Sequence, residues 1–465
     1  MFRADDYSRD AVKALTDKVL DMTKADAAEV TLTGGERSGT RWANSSITTN
    51  LVQYDRNLSV TVYLGDKAGS SSTRDFSDAG LKDLVDEARA NANQAAASPR
   101  PDMVGAQTYI PVDAALPAMV NFGPAERARM VKESIDICEK MGTVGAGYIP
   151  KTDQTNCTAN TKGLFAYYRD AEAGLVLTCR MADGSGSGWA GITGVKDLSL
   201  IDAKVITETA STKAVKSKGA KAIEPGRYTV ILEPRANARF LSLMTGIFNQ
   251  GGGAGGPGGR GGGGGRGGGG GGRGGGGGRG GRGGNATRNI GDKIFSDLFT
   301  LKSDIGNNIL RQTPILGNNL PAKPVTWVEN GVLKSFATPD IGTSVNMSLV
   351  QEGSDLSIDD MIKKTPRGLL VTFFWYIRGV PSEDQPLLNT GMTRDGLFLI
   401  ENGEIVRPVQ NFRWNMSPLV GYSNLTLVGK PVPIHTGESY DGGGTALVPP
   451  VRIDDFYMTS VSPAV

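Results

Sequence analysis

Apolar residues recur at helical spacing from the start of the chain, at Val12, Leu15, Val19, Leu20 and Met22, which predicts an amphipathic helix over residues 7–24. The run AEVTLTGGERSGTRWANSSITTN then alternates at a period of two, and LSVTVYLGDKAGSSSTRDFS continues as a hairpin turning at Gly65-Asp66. LKDLVDEARANANQAA returns to helical spacing. Residues 97–123 are rich in proline and small side chains and predict a connection, after which Pro124 opens a helix through PAERARMVKESIDICEKM. From Gly147 to Asp202, aromatic and β-branched residues between turn clusters predict strands, with GSGSGWAG at 184–191 as a mobile hairpin tip. An α+β unit is therefore expected over 1–220.

A second unit begins with a strand at Tyr228 to Leu232 and a helix carrying Ala236, Phe240, Leu243 and Ile247 on one side, so that 221–250 reads as strand plus helix. Residues 251–284 are almost entirely glycine, broken by Ala254, Pro257 and Arg260, Arg266, Arg273, Arg279 and Arg282. Glycine maximises backbone entropy and offers nothing to bury, which predicts a disordered insertion spanning roughly 30–35 Å. Beyond it, VTWVENGVLKSF, GLLVTFFWYI, GLFLIENGEIVRPV and RIDDFYMTSV are short strands between turns, so 285–465 is expected to be a β-rich C-terminal domain. The fold class predicted is α+β, with the Gly/Arg-rich insertion interrupting its second half.

At 465 residues the chain exceeds what one compact core accommodates, in line with this division. Lys and Arg total 50 against 48 Asp and Glu, a net charge of +2, which provides no global field for steering toward nucleic acid or acidic substrates. The acid-containing N-terminus does not resemble a signal peptide, and no stretch reaches the ~20 apolar residues of a membrane span. The expectation is a soluble, cytoplasmic protein without membrane partners. Cys138, Cys157 and Cys179 are odd in number and lack CxxC spacing, which predicts reduced thiols used for packing.

Hydrolytic chemistry finds few residues to work with. A zinc hydrolase needs about three protein ligands and an open position. The chain contains a single histidine, His435, in the loop-like KPVPIHTGESYDGGG, where a surface or turn imidazole is expected. There is no Gly-x-Ser-x-Gly elbow, no phosphate-binding loop ending in Gly-Lys-Ser/Thr, and no EF-hand-like acidic loop. No catalytic and no metal-ligating residue is therefore assigned. The RGG tract is either a tolerated low-complexity insertion or a flexible arm for nucleic acid or protein.

Several segments, in order, together resemble the TldD/PmbA family, also called the modulator-of-gyrase family: TRWANSSITTN at 40–50, TANTKGLFAYYRDAEAGLVLTCRMADGSGSGW at 158–189, GDKIFSDLFTLKSD at 291–304, WVENGVLKSFAT at 327–338 and NTGMTRDGLFLIENGEIVRPVQNF at 389–412. The resemblance implies a peptidase complex in which a TldD-type chain carries a His-Glu-x-x-x-His helix and a later Cys as zinc ligands, whereas a TldE/PmbA-type chain lacks them. The corresponding helix, EPRANARFLSLMTGIFN at 233–249, contains no His, and YDGGGTALVPPVRIDDF at 440–456 contains no Cys. The resemblance thus implies a non-catalytic TldE/PmbA-like subunit without a cofactor of its own. Zinc is expected in a TldD-like partner, with extended peptides as substrate. Arg235, Arg239, Asn249, Thr390 and Arg394 are the candidates for lining the shared cavity. The alternatives are a binding or regulatory protein that keeps the fold and works through its RGG tract, and a peptidase built on carboxylates alone.

Overall fold

The computed structural model describes residues 7–112, 114–249, 288–310, 314–439 and 444–462. The Gly/Arg-rich tract at 251–284 lies outside the described residues.

Ser8 caps the helix Arg9–Thr23, its hydroxyl accepting from the Ala11 amide, and Val12, Thr16, Val19 and Thr23 form the buried stripe. Alternation continues in two long strands, Ala27–Ala43 and Ser46–Leu64, paired antiparallel along their whole length. The predicted turn at Gly65-Asp66 is present, with Gly65 at φ +60, and leads into Lys67–Thr73. The sheet is six-stranded and antiparallel, running in the order Lys67–Thr73, Ser46–Leu64, Ala27–Ala43, Thr143–Asn160, Phe165–Met181, Ser187–Val195.

Odd-numbered residues of Phe165–Met181 point to the face covered by helices. Ala171, Ala173, Leu175, Leu177 and Cys179 pack with the helices Pro124–Lys140 and Ala203–Lys216, and Phe165 and Tyr167 pack beside Arg9–Thr23 and Asp78–Gln94. Val176, of opposite parity, and Trp189 belong instead to the core of the C-terminal unit. One face of the sheet is thus helix-covered and the other receives the second unit.

The helix Ala203–Lys216 was not anticipated. Its buried positions are Ala203, Thr207, Ala210, Ser211 and Ala214, too small and too polar to register as an apolar stripe. Small residues are required there, because a Cβ on Gly188 would lie 2.4 Å from the Ala210 carbonyl oxygen and one on Gly186 2.3 Å from that of Ala214. The predicted tip at 184–191 is a turn only as far as Gly186; Ser187 onward is strand, with Trp189 buried.

In the C-terminal unit a seven-stranded sheet closes on itself. Arg367–Gly379 pairs parallel with Gly226–Leu232, which pairs with Val451–Val461, then Phe412–Met416, then Asn389–Glu401, which returns to Arg367–Gly379. A second, six-stranded sheet contains Val325–Glu329, Leu301–Ser303, Leu349–Gln351, Thr445–Val448 and Val432–His435. The β-rich character predicted for this half is what the structure shows. The helix expected over 233–249 runs only from Pro234 to Ser242, and a 3-10 turn follows at Thr245–Phe248. Phe240 anchors it, with ring centroids 5.4 Å from Tyr422, 5.6 Å from Phe456 and 6.1 Å from Trp414.

His435 is a correction. It is buried at the end of the strand Val432–His435, with Nε2 2.7 Å from the Ser439 carbonyl oxygen, rather than a surface imidazole. Cys138, Cys157 and Cys179 are buried and free, as expected for packing thiols. No helix among the described residues is long and apolar enough to cross a membrane.

Candidate functional site

The helix Pro234–Ser242 is buried on nearly every side, yet four of its positions are polar: Arg235, Asn237, Arg239 and Ser242. Asn237 Nδ2 donates to Gln351 Oε1 and to the Pro449 carbonyl, both at 2.8 Å, and its Oδ1 accepts from the Tyr422 hydroxyl at 2.7 Å. Such satisfaction makes a buried amide tolerable and fixes the helix rotationally. Arg235 and Arg239, one turn apart, therefore point to defined places.

Arg235 lines a cleft of about 530 Å³ between the face of the first sheet and the C-terminal unit. The sheet contributes Arg41, Trp42, Tyr148, Val176 and Trp189; the C-terminal unit contributes Phe373, Trp375, Arg394, Asp395 and Glu438. The Arg235 guanidinium lies over the Phe373 ring at 4.7 Å and the Trp189 ring at 5.8 Å, and donates to the Glu438 carbonyl at 3.2 Å and to that of His435. Arg394 stacks over Trp375 at 5.2 Å, and Arg41 over Tyr148 at 4.6 Å.

Asp395 sits beside Arg394, with 3.6 Å between Arg394 Nε and Asp395 Oδ2. It adopts φ +55, followed by Gly396 at φ +125, a bend that turns its carboxyl inward. Burial raises the Asp395 pKa above the ordinary carboxylate value, against the opposing pull of Arg394.

Arg239 lines a neighbouring cleft of about 520 Å³ with Ser242, Thr245, Asn346 and Thr436. Glu438 and Ser439 belong to both clefts. The Glu438 carboxylate lies 3.6 Å from Arg239 and 3.8 Å from Arg378, and accepts from the Tyr376 amide. Burial lowers the Arg239 pKa, with Glu438 opposing.

The five positions proposed from sequence thus divide. Arg235 and Arg394 come together in the main cleft and Arg239 lines the adjoining one. Asn249 bridges Ala337 after the 3-10 turn, and Thr390 lies in strand Asn389–Glu401 opposite Arg378 and Asn415; neither lines these clefts. The aromatic walls and Asp395 and Glu438 were missed. Asp395 follows the Arg394 of the Thr-Gly-x-x-Arg motif directly, which is the signal that pointed nearest to it.

A helix-backed antiparallel sheet set against a closed β unit, with an arginine-lined cleft at their seam, defines a two-part α+β protein. Residues 28–92 match the PmbA/TldA metallopeptidase domain 1 and residues 284–460 the PmbA/TldA metallopeptidase C-terminal domain. Together these span just over half of the chain, and the chain belongs to the PmbA/TldD family. No curated protein matches the sequence. Among solved structures the chain is similar to TldE from Thermococcus kodakarensis, at 16% identity and a TM-score of 0.73 over 97% of this chain and 100% of that one. A candidate modulator of a DNA gyrase from Thermotoga maritima follows at 14% identity and 0.71, over 96% and 99%. Another from Bacteroides thetaiotaomicron stands at 15% and 0.68, over 98% and 100%. At these identities the likeness establishes the fold.

Proposed function

We propose that this chain is a non-catalytic, TldE-like subunit of a cytoplasmic zinc-peptidase complex, holding extended peptide beside a TldD-like subunit that supplies metal and base. The observation that carries this reading is the pair Arg235 and Arg239 on the helix facing the clefts. Guanidinium groups donate hydrogen bonds and repel cations, so the helix suits peptide carbonyls and carboxylates rather than a metal. The fit of zinc to this site is poor on donor chemistry: the charged lining is Arg41, Arg235 and Arg394 with Asp395 and Glu438, and the Glu438 carboxylate lies between Arg239 and Arg378.

Likeness in fold to the Thermococcus kodakarensis TldE over the whole chain supports the subunit role. So does the strand Ser46–Leu64, whose first half exposes the apolar residues Ile47, Leu51, Val52 and Tyr54 on its two faces, surface of the kind a second chain covers. Three cysteines without CxxC spacing fit a reducing compartment such as the cytoplasm.

The test is to purify the chain alone and with a His-Glu-x-x-x-His homologue from the same genome, measuring association, zinc by mass spectrometry and hydrolysis of an unfolded peptide. Zinc and activity only in the co-purified complex are expected. Stoichiometric zinc with activity in this chain alone overturns the reading, as does failure of the two chains to associate.

A further inference from the structure

The main cleft has a chemistry more specific than peptide binding in general. Its walls are aromatic or aliphatic: Trp42, Trp189 and Phe373 are buried, Trp375 and Tyr148 half-buried, and Val176 fills the floor. Its charged groups are Arg41, Arg235 and Arg394 against Asp395 and Glu438. Glu438 is already committed, its carboxylate lying between Arg239 and Arg378 with the Tyr376 amide donating to it. Asp395 is buried beside Arg394. The balance in the cleft is therefore cationic.

The guanidinium groups are also oriented. Arg41, Arg235 and Arg394 each lie over a ring, at 4.6 Å on Tyr148, 4.7 Å on Phe373 and 5.2 Å on Trp375. Stacking fixes the plane of a guanidinium and leaves its edge, where the N–H donors are, directed sideways. Arg235 spends part of that edge on the His435 and Glu438 carbonyls. Among the described residues Arg41 makes no salt bridge, and Arg394 makes one, to Asp395 at 3.6 Å. A planar edge held against an aromatic wall is the arrangement that takes a carboxylate two-pronged while the adjoining side chain enters the apolar space. The volume of about 530 Å³ lies within the range of roughly 300–1,000 Å³ typical of ligand sites.

We infer that the cleft is a receptor for a peptide carboxylate adjacent to an aromatic or large apolar side chain, with Arg41 and Arg394 gripping the carboxylate and Trp42, Trp189, Phe373 and Trp375 enclosing the side chain. This rests on the peptide-holding reading above and names the substrate class. The carboxylate comes from a free peptide C-terminus or from an Asp or Glu side chain next to such a residue.

Titration calorimetry on the full chain tests it with N-acetylated pentapeptides: one ending in Phe as the free acid, the same peptide as its amide, one ending in Ala as the free acid, and an amidated peptide with internal Asp-Phe. The free Phe acid is expected to bind about tenfold or more tighter than its amide, the loss of one charge-assisted contact. R394Q and R41Q are each expected to remove that preference, and W375A, which takes away both the wall and the ring under Arg394, to weaken the Phe acid more than the Ala acid. Arg41 is exposed, so R41Q reports on binding even where R394Q disturbs folding. If the amidated Asp-Phe peptide binds tighter than the plain amide, a side-chain carboxylate is accepted; if it binds like the plain amide, only the C-terminus is. Equal binding of the Phe acid, its amide and the amidated Asp-Phe peptide overturns the inference, as does a carboxylate preference that survives R41Q and R394Q. An active complex with the His-Glu-x-x-x-His chain alongside equal binding of all three removes this inference alone. Acid preference without any partner or activity removes the subunit reading alone.

Discussion

Replacing Glu233 by glutamine strips the counter-charge from a lysine held at the seam between the two units. Lys213, from the helix Ala203–Lys216, places Nζ 2.6 Å from Glu233 Oε2 and 3.1 Å from the Trp189 carbonyl oxygen. Thr372 Oγ1 donates to Glu233 Oε1 at 3.2 Å. The side chains are 15% and 8% exposed, so solvent screens the pair little. Glu233 is the residue preceding the helix Pro234–Ser242, but its side chain makes no capping bond there, so the substitution removes charge without removing a cap. Breaking a buried pair costs about 3–5 kcal/mol, and because glutamine keeps the shape and an acceptor for Thr372, the lower end, about 3 kcal/mol, is expected for E233Q. The double variant K213M/E233Q leaves no orphaned charge and is expected within about 1 kcal/mol of the parent. Urea unfolding at neutral pH, followed by far-ultraviolet circular dichroism and by tryptophan fluorescence, gives the double-mutant cycle, with a coupling of about 2 kcal/mol or more expected. A cost below about 1 kcal/mol for E233Q, or strict additivity of the single variants, refutes the argument that this pair ties the seam together.

Phe240→Ala removes a wholly buried ring that touches Tyr422, Phe456, Trp414 and Phe374, and is expected to cost about 3–5 kcal/mol in chemical denaturation. Gly69→Ala places a Cβ 2.0 Å from the Ala92 amide nitrogen and 2.3 Å from the Ala88 carbonyl oxygen, forcing the helix Asp78–Gln94 off its strand; a loss of about 1–3 kcal/mol and a lowered Tm are expected, and an unchanged Tm contradicts this close approach. For Asp395 the folded pKa is raised above the ordinary 3.8, first by burial, so the native state holds the proton more tightly than the unfolded chain does. Stability then falls as pH rises from about 3.8 through the raised folded value, and is unaffected below it. Asp395→Asn is accordingly expected to be stabilising at pH 7, by about 1.4 kcal/mol per unit of elevation, and neutral near pH 3. Urea midpoints at the two pH values decide it, an equal effect at both being the contrary result.

How much of this was legible in the sequence depended on the range over which each feature is determined. The amphipathic helix Arg9–Thr23 is written in its own periodicity. The hairpins at Asn330-Gly331 and Asn402-Gly403 are equally local: both residues of each pair have positive φ, at +49 and +77 and at +51 and +80, the conformation for which Asn-Gly is suited. The helix Ala203–Lys216 was lost because close approach to Gly186 and Gly188 demands a face of Ala, Ser and Thr, which carries no hydrophobic signal. His435 read as a loop residue because its strand partner, Thr445, stands beyond the glycine-rich sequence DGGG at 441–444. The closure of the seven-stranded sheet depends on the parallel pairing of Gly226–Leu232 with Arg367–Gly379, across well over a hundred residues, and no local pattern specifies that. Trp42, Trp189 and Trp375 are ordinary strand aromatics until the two units meet.

The polar content of the helix Pro234–Ser242 separates a helix that fills a core from one that also presents a surface. Phe240 and Leu241 alone would hold it in place, and each buried polar group beside them costs stability unless fully bonded. Asn237 is accommodated by Gln351, the Pro449 carbonyl and the Tyr422 hydroxyl, drawn from three separate elements. That arrangement contributes nothing to the apolar core that a leucine would not contribute better. What it does is fix the helix about its axis, and with it Arg235 and Arg239, which lie one turn apart and open into adjoining clefts joined through Glu438 and Ser439. An extended chain laid along both clefts would meet a guanidinium in each. Asn237→Leu removes that fixing and leaves the buried Tyr422 hydroxyl, the Gln351 side chain and the Pro449 carbonyl without their partner, so a loss of about 1–3 kcal/mol in urea unfolding is expected, and an unchanged midpoint would contradict the argument that this network holds the helix.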